Sequence, residues 1–205
     1  MINISEKNTI ILESQYLLIS NRAKCKELFN QKDISENQLI DFYISLHIVL
    51  EVGINSFFRQ IIRMHTAFNS IIGDEIIRKN TDNISFLDKV SMYIHFVNFE
   101  LSGDLEIAKK HLSIIGKIKD FNFIRNNLLH GHSISQFNLD NSETKKSKTK
   151  QLLTVDKMNN QVKLFLEIIE GLIFYFNKHK SGIKESGKES LIECFLDTTF
   201  LTQDK

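Results

Sequence analysis

The sequence predicts an all-α fold arranged around one long central helix. Three observations carry that expectation. The 205 residues include no proline, so nothing removes a backbone donor from the middle of a helix. Apolar residues recur at helical spacing over most of the chain. Capping residues and glycines fall where those periodic stretches begin and end. With 42% hydrophobic and 25% charged residues, the chain can fill one core and is too apolar for disorder.

The elements follow in order. Asn8 to Asn30 reads as a first helix, with Ile11, Tyr16, Leu17 and Leu28 among its apolar positions. Asp33-Ile34-Ser35-Glu36 is a start signal, because an Asp or Ser side chain can accept from the free N–H groups of a new helix. The central helix runs from about Glu36 to Ile72, and Gly73 suits its end. A polar break at 80–83 precedes a helix over Ile84 to Phe99. After Ser102-Gly103-Asp104, a helical stretch reaches His130. Gly116 is a place where it could split, and Gly131 is suited to stop it.

The character then changes. Residues 133–139 alternate with period two, and 150–155 form a weaker strand candidate. Between them lies a polar, lysine-rich stretch, so the whole reads as a small hairpin or irregular loop. Asp156 is placed to cap a last core helix ending near Lys178, whose stripe comprises Val162, Phe165, Ile169, Leu172, Ile173 and Phe176. Residues 1–180 thus form one helical domain. Residues 181–205 are a linker and a short segment, Leu191 to Leu201, apolar enough to dock back or to bind something.

Composition narrows the function classes. A formal net charge of +1 excludes a strongly basic nucleic-acid coat, so any RNA contact rests on a local patch. The two cysteines, Cys25 and Cys194, match no zinc or redox spacing and are expected as free thiols of a cytoplasmic protein. The polar N-terminus has no signal-peptide core, and no apolar run approaches the roughly 20 residues of a membrane helix. Gly-rich phosphate loops, nucleophile elbows and catalytic-cysteine contexts do not occur.

The chemistry concentrates in Asp120 to Gly131. At about 100° per residue, Phe121, Ile124, Leu128 and Leu129 share one face, and Arg125 falls in the middle of it. A guanidinium in an apolar stripe must be paired or must look into a cleft or interface. Asn126 and His130, four apart, stack on the polar side. His130 stands in the last turn, where a helix C-terminus favours the charged imidazole.

Arg125-Asn126-Asn127-Leu128-Leu129-His130 resembles the R-N-x-x-x-H signature of the HEPN superfamily. The flanking apolar residues, the trailing glycine and the following terminal helix are also similar to that family. The resemblance covers residues 35 to 180 by architecture and Ile124 to Gly131 by motif. It implies a helical bundle that dimerises so that two motifs meet across a cleft, and a ribonuclease that needs neither metal nor cofactor. His130 would be the general acid/base on the ribose 2′-hydroxyl or the leaving oxygen. Arg125 would hold the scissile phosphate, and Asn126 would orient one of the two. The implied products are a 2′,3′-cyclic phosphate and a 5′-hydroxyl, and the implied settings are toxin or anti-phage systems with an antitoxin or defence partner. Many HEPN domains bind without cutting, so a non-catalytic RNA- or protein-binding module is the alternative. In the toxin branch paired with minimal nucleotidyltransferases, a tyrosine two residues after the motif histidine is modified. Here that position is His132, so control by that route is not expected.

Other constellations are weaker. His130-Gly131-His132 lacks the spacing of a helical zinc motif, and His132 is expected to line the same cleft or touch RNA. The central helix carries a polar row, His47, Glu51, Asn55, Arg59 and Arg63, at successive i+4 positions between apolar neighbours. The row reads either as a solvated stripe or as a shared face on which Glu51 or Asn55 supports Arg125. Its apolar flanks suggest a subunit interface, hence a homodimer. Lys145, Lys146 and Lys148 form a basic run that is either a solvated loop or a track for an RNA backbone.

Overall fold

The structure is a computed structural model that describes residues 4–64, 85, 87–91, 105–129, 152–178 and 185–202. Among these residues every regular element is helical, as the sequence predicts. The long elements are α1 (Ile4–Phe29), α2 (Glu36–Met64), α3 (Leu105–Leu129) and α4 (Val155–Lys178). A short helix α5 (Glu185–Leu191) leads into a π-helical turn (Ile192–Leu196) and a 3-10 turn (Thr199–Leu201).

Local chemistry sets the boundaries. At the start of α2, the backbone N–H of Ser35 donates to Gln38 Oε1 at 2.9 Å, and the N–H of Gln38 donates back to Ser35 Oγ at 3.4 Å. That reciprocal pair is a capping box. Ser85 also caps the helical stretch 87–91: the N–H of Asp88 donates to Ser85 Oγ at 3.2 Å, and the Ser85 hydroxyl donates to Asp88 Oδ2. Three boundaries differ from the sequence reading. α1 begins at Ile4 rather than Asn8. Gly116 does not split α3, which runs unbroken from Leu105 to Leu129. Val155 opens α4 rather than closing a strand, because Thr154 supplies the cap: the N–H of Lys157 donates to Thr154 Oγ1 at 3.3 Å. The alternating stretch 133–139 lies outside the described residues.

α2 is the hub. Phe42, Leu46, Leu50, Ile54 and Phe57 are buried along one side, at spacings of three and four that keep them on one helical face. α1, α3 and α4 all pack on it, and to the shared core α1 contributes Leu18, Cys25 and Leu28, α3 Ile114, Ile118 and Phe121, and α4 Phe165, Leu172 and Phe176. Full burial of each such side chain stabilises by about 1.5–3 kcal/mol. The ring of Phe57 meets that of Phe176 edge to face at 5.0 Å, a preferred aromatic geometry. Tyr43 donates its hydroxyl to the carbonyl of Leu152 at 2.8 Å and so ties α2 to the residues entering α4. By length and composition, Glu36–Arg59 is apolar enough to cross a membrane, unlike the sequence expectation. The same apolarity is what a core helix needs, and 56% of that stretch is buried inside this fold.

The C-terminal segment docks back. Leu191, Phe195, Leu196, Phe200 and Leu201 all join the core. The guanidinium of Arg22 on α1 donates to the carbonyl of Cys194 at 3.1 Å and lies 5.8 Å from the centre of the Phe200 ring. Both cysteines are free thiols, and burial pushes that of Cys25 up to about 12.

Two close approaches depend on glycine. A Cβ on Gly171 of α4 would stand 2.5 Å from a methyl group of Ile114, so this glycine sets how near α3 can lie. A Cβ on Gly53 of α2 would stand 2.6 Å from the carbonyl oxygen of Phe195. That oxygen belongs to the backbone of the docked segment and cannot rotate away. Gly53→Ala is therefore expected to lift residues 191–201 off α2 and cost about 1–3 kcal/mol, the range for overpacking. Hydrogen exchange across that segment, with the melting temperature, checks this. Unchanged protection would refute the close packing.

Candidate functional site

The motif helix α3 lies against α2 through an aromatic contact. The imidazole of His47 stacks on the ring of Phe121, with centroids 5.8 Å apart and planes 14° from parallel. Phe121 is fully buried and backs onto Phe165 at 6.2 Å. Its carbonyl accepts a buried hydrogen bond of 2.7 Å from Gln161 Nε2 on α4. One turn of α3 is thereby clamped between α2 and α4, and Arg125 is the next residue on the same face.

Arg125 is half-buried. Its Nη1 donates to Oδ1 of the exposed Asn126 at 3.2 Å. Neighbours in a helix do not normally face each other, so the guanidinium has turned sideways along the helix surface toward the asparagine. The guanidinium also acts on Glu51 of α2. Hydrogen bonding from His47 is the largest influence holding the Glu51 carboxyl below its ordinary range. Partial burial opposes it, and the charges of His47, Arg125 and Lys89 add to it. His47 Nε2 lies 3.5 Å from Glu51 Oε2, the long end of hydrogen-bonding range. One turn further along α2, Asn55 Oδ1 accepts from Lys89 Nζ at 3.0 Å.

The structure pairs Arg125 with Asn126, and the charge of Arg125 reaches Glu51 on α2, one turn from Asn55. The positive charges of Arg125 and Lys89 both act on the Glu51 carboxylate. The polar row on α2 is not a solvated stripe at this level. His47 is only 7% exposed, and Glu51, Asn55 and Arg59 are part-buried. Its apolar flanks are not a free interface either, because Leu46, Val49, Leu50, Ile54, Phe57 and Phe58 are consumed by the core of the chain itself. The last described residue of α3 is Leu129. His130, His132, Lys145, Lys146 and Lys148 lie outside the described residues.

Two members of the cluster were not singled out as site residues by the sequence. His47 stood in the polar row, yet nothing in the row separates a buried histidine from an exposed one. Lys89 lies beyond a stretch with no motif, and only its place after the Ser85–Asp88 cap hints at an ordered helical position. No protein-family model matches the chain, and neither a curated protein nor a solved structure matches it.

Proposed function

We propose that this chain is a HEPN-like, metal-independent endoribonuclease of a toxin or anti-phage system, acting in the cytoplasm as a homodimer. The observation that carries the reading is the surroundings of Arg125. A half-buried arginine lies beside Asn126 and within the electrostatic reach of Glu51 from the neighbouring helix. A planar guanidinium steadied in this way presents its remaining N–H groups to a phosphate in a fixed fork.

In this reading His130 exchanges the proton and Arg125 grips the scissile phosphate. The imidazole takes the 2′-hydroxyl proton as that oxygen attacks phosphorus, and a proton is returned to the departing 5′-oxygen. Arg125 stabilises charge developing on the non-bridging oxygens. The products are a 2′,3′-cyclic phosphate and a 5′-hydroxyl. Two exposed apolar side chains on α3, Leu112 and Phe123, support the homodimer. Their spacing of eleven residues brings them within about 20° of one another around the helix. Phe123 also precedes His130 by seven residues, the repeat of one helix face. An isologous contact on that face would bring two motifs to one cleft.

The test is incubation of the purified protein with total RNA in excess EDTA, beside a His130→Ala control. Cleavage that survives EDTA, ends in cyclic phosphate and disappears in the variant is the expected result. RNA retention without cleavage would replace this reading with that of a non-catalytic binding module.

A further inference from the structure

The seam between α3 and α4 carries two cations on one aromatic ring. Lys110 of α3 places its Nζ 3.5 Å from the centre of the Phe174 ring on α4. Lys178, one turn beyond Phe174, places its own Nζ 5.7 Å from the same centre. Both distances lie within the range over which a ring attracts a cation. The ring is half-buried and rests edge to face on the buried ring of Tyr175 at 5.7 Å, so it is a fixed seat. Among the described residues neither lysine has an ion pair. Two ammonium groups drawn to one ring repel each other, and an anion bound by both would relieve that repulsion.

A second rung stands further along the same seam, where the two helices run antiparallel. Lys117, seven residues after Lys110, donates to Glu167 Oε2 at 2.9 Å, and Glu167 lies seven residues before Phe174. Lys163 lies 4.0 Å from the other oxygen of Glu167. Seven residues are two helical turns, so the rungs are about 10.5 Å apart. The exposed Glu170 and Asp120 form no ion pair with any of these lysines among the described residues. Across the two rungs four lysines therefore share one carboxylate, in a chain whose formal net charge is +1. A near-neutral chain needs such a local patch to hold a nucleic acid.

We propose that this edge is a docking strip for the phosphate backbone of an RNA strand. Lys110 and Lys178 grip one phosphate beside Phe174, and the excess charge at Lys117 and Lys163 attracts another. A single small anion cannot span two rungs, whereas a chain of phosphates can. The contacts are to backbone, so the strip carries no base preference. Lys110 precedes Arg125 by fifteen residues on α3, about 22 Å along the axis, so the strand is held away from the point of cleavage. The strip deepens the ribonuclease reading and rests on it for the choice of RNA over other polyanions.

The test measures binding of fluorescein-labelled polyuridine to the full-length protein over a series of salt concentrations. Lys110→Gln/Lys178→Gln is expected to weaken binding by up to about fivefold per lysine, the scale of an exposed ion pair. The slope of log affinity against log salt should become shallower by about 0.7 per lysine, as for lost contacts to a single strand. Lys110→Arg/Lys178→Arg, which keeps both charges and can still lie on the ring, should bind as wild type does. Lys24→Gln/Lys32→Gln removes the same charge from the α1 side of the molecule and should leave the affinity and slope nearly unchanged. Equal losses in the two glutamine variants, or none in the first, would overturn the proposal. So would wild-type binding to phosphatidylserine vesicles in preference to polyuridine, lost in the same variant, which would assign the edge to a membrane surface. The two readings fail separately. RNA cleavage with seam variants that bind polyuridine normally overturns the strip alone, and a wild-type protein that binds through the strip without cutting refutes the ribonuclease reading alone.

Discussion

On the proposed ribonuclease reading, Arg125→Lys should lose RNA cleavage by about 10²–10³, the scale for removing one fixed donor from developing charge, while its melting temperature stays within a few degrees. Lysine keeps the positive charge, so general attraction of RNA survives. It loses the planar fork that can donate to a phosphate and to Asn126 together. Folding should be little affected, because Arg125 is half-buried and its hydrogen-bond partner among the described residues is an exposed neighbour. His130→Ala should cut the rate further, by about 10²–10⁴, as expected for loss of a general acid/base. Cleavage assays and thermal melts on the same two preparations decide the matter. If both variants melt far below wild type, the two residues are structural and the catalytic assignment fails.

The helices were legible in the sequence because their signals are local. Ser35 and Gln38 lie three residues apart, and the capping box they form needs nothing from the rest of the chain. The stripe on α4 is likewise a property of consecutive residues. The misread boundaries are places where a local signal loses to its surroundings. Gly116 is an exposed position with nothing near it. A glycine inside a helix costs only about 1 kcal/mol, less than α3 gains by burying Ile114 and Ile118 on either side. Val155 has strand propensity, yet the hydroxyl of Thr154 accepts from the backbone one turn on and starts a helix.

The candidate site divides in the same way. Arg125 could be found because it violates the apolar periodicity of its own helix. Glu51 could only be offered as one of a row, and His47 was hidden. Whether a row member is buried depends on which residue of another helix faces it. That residue is Phe121, far away in sequence. No pattern within Glu36–Met64 contains the information. The same holds for Lys89, whose link to Asn55 joins two segments that the sequence does not relate. For the C-terminal segment, apolarity implied burial without saying where. The missing side chain of Gly53, which lets the Phe195 carbonyl come close, supplies the location.

Phe165→Ala should destabilise the protein by about 3–5 kcal/mol, the range for deleting a buried phenyl ring. Phe165 is 1% exposed, so little of the loss can be recovered by water filling the space. Its ring connects two parts of the molecule. On one side it meets Phe121 at 6.2 Å, and on the other it meets Phe200 edge to face at 5.9 Å. Removing it should loosen the 3-10 turn at Thr199–Leu201 and, through Phe121, the seat on which His47 stacks. The effect should therefore exceed that of Phe174→Ala, a part-buried ring on the same helix. Urea denaturation of the two variants gives the comparison, and the slope of the unfolding curve checks that the native state stays compact. A loss below about 1 kcal/mol for Phe165→Ala would mean that α4 does not join the C-terminal segment to the motif helix through this ring.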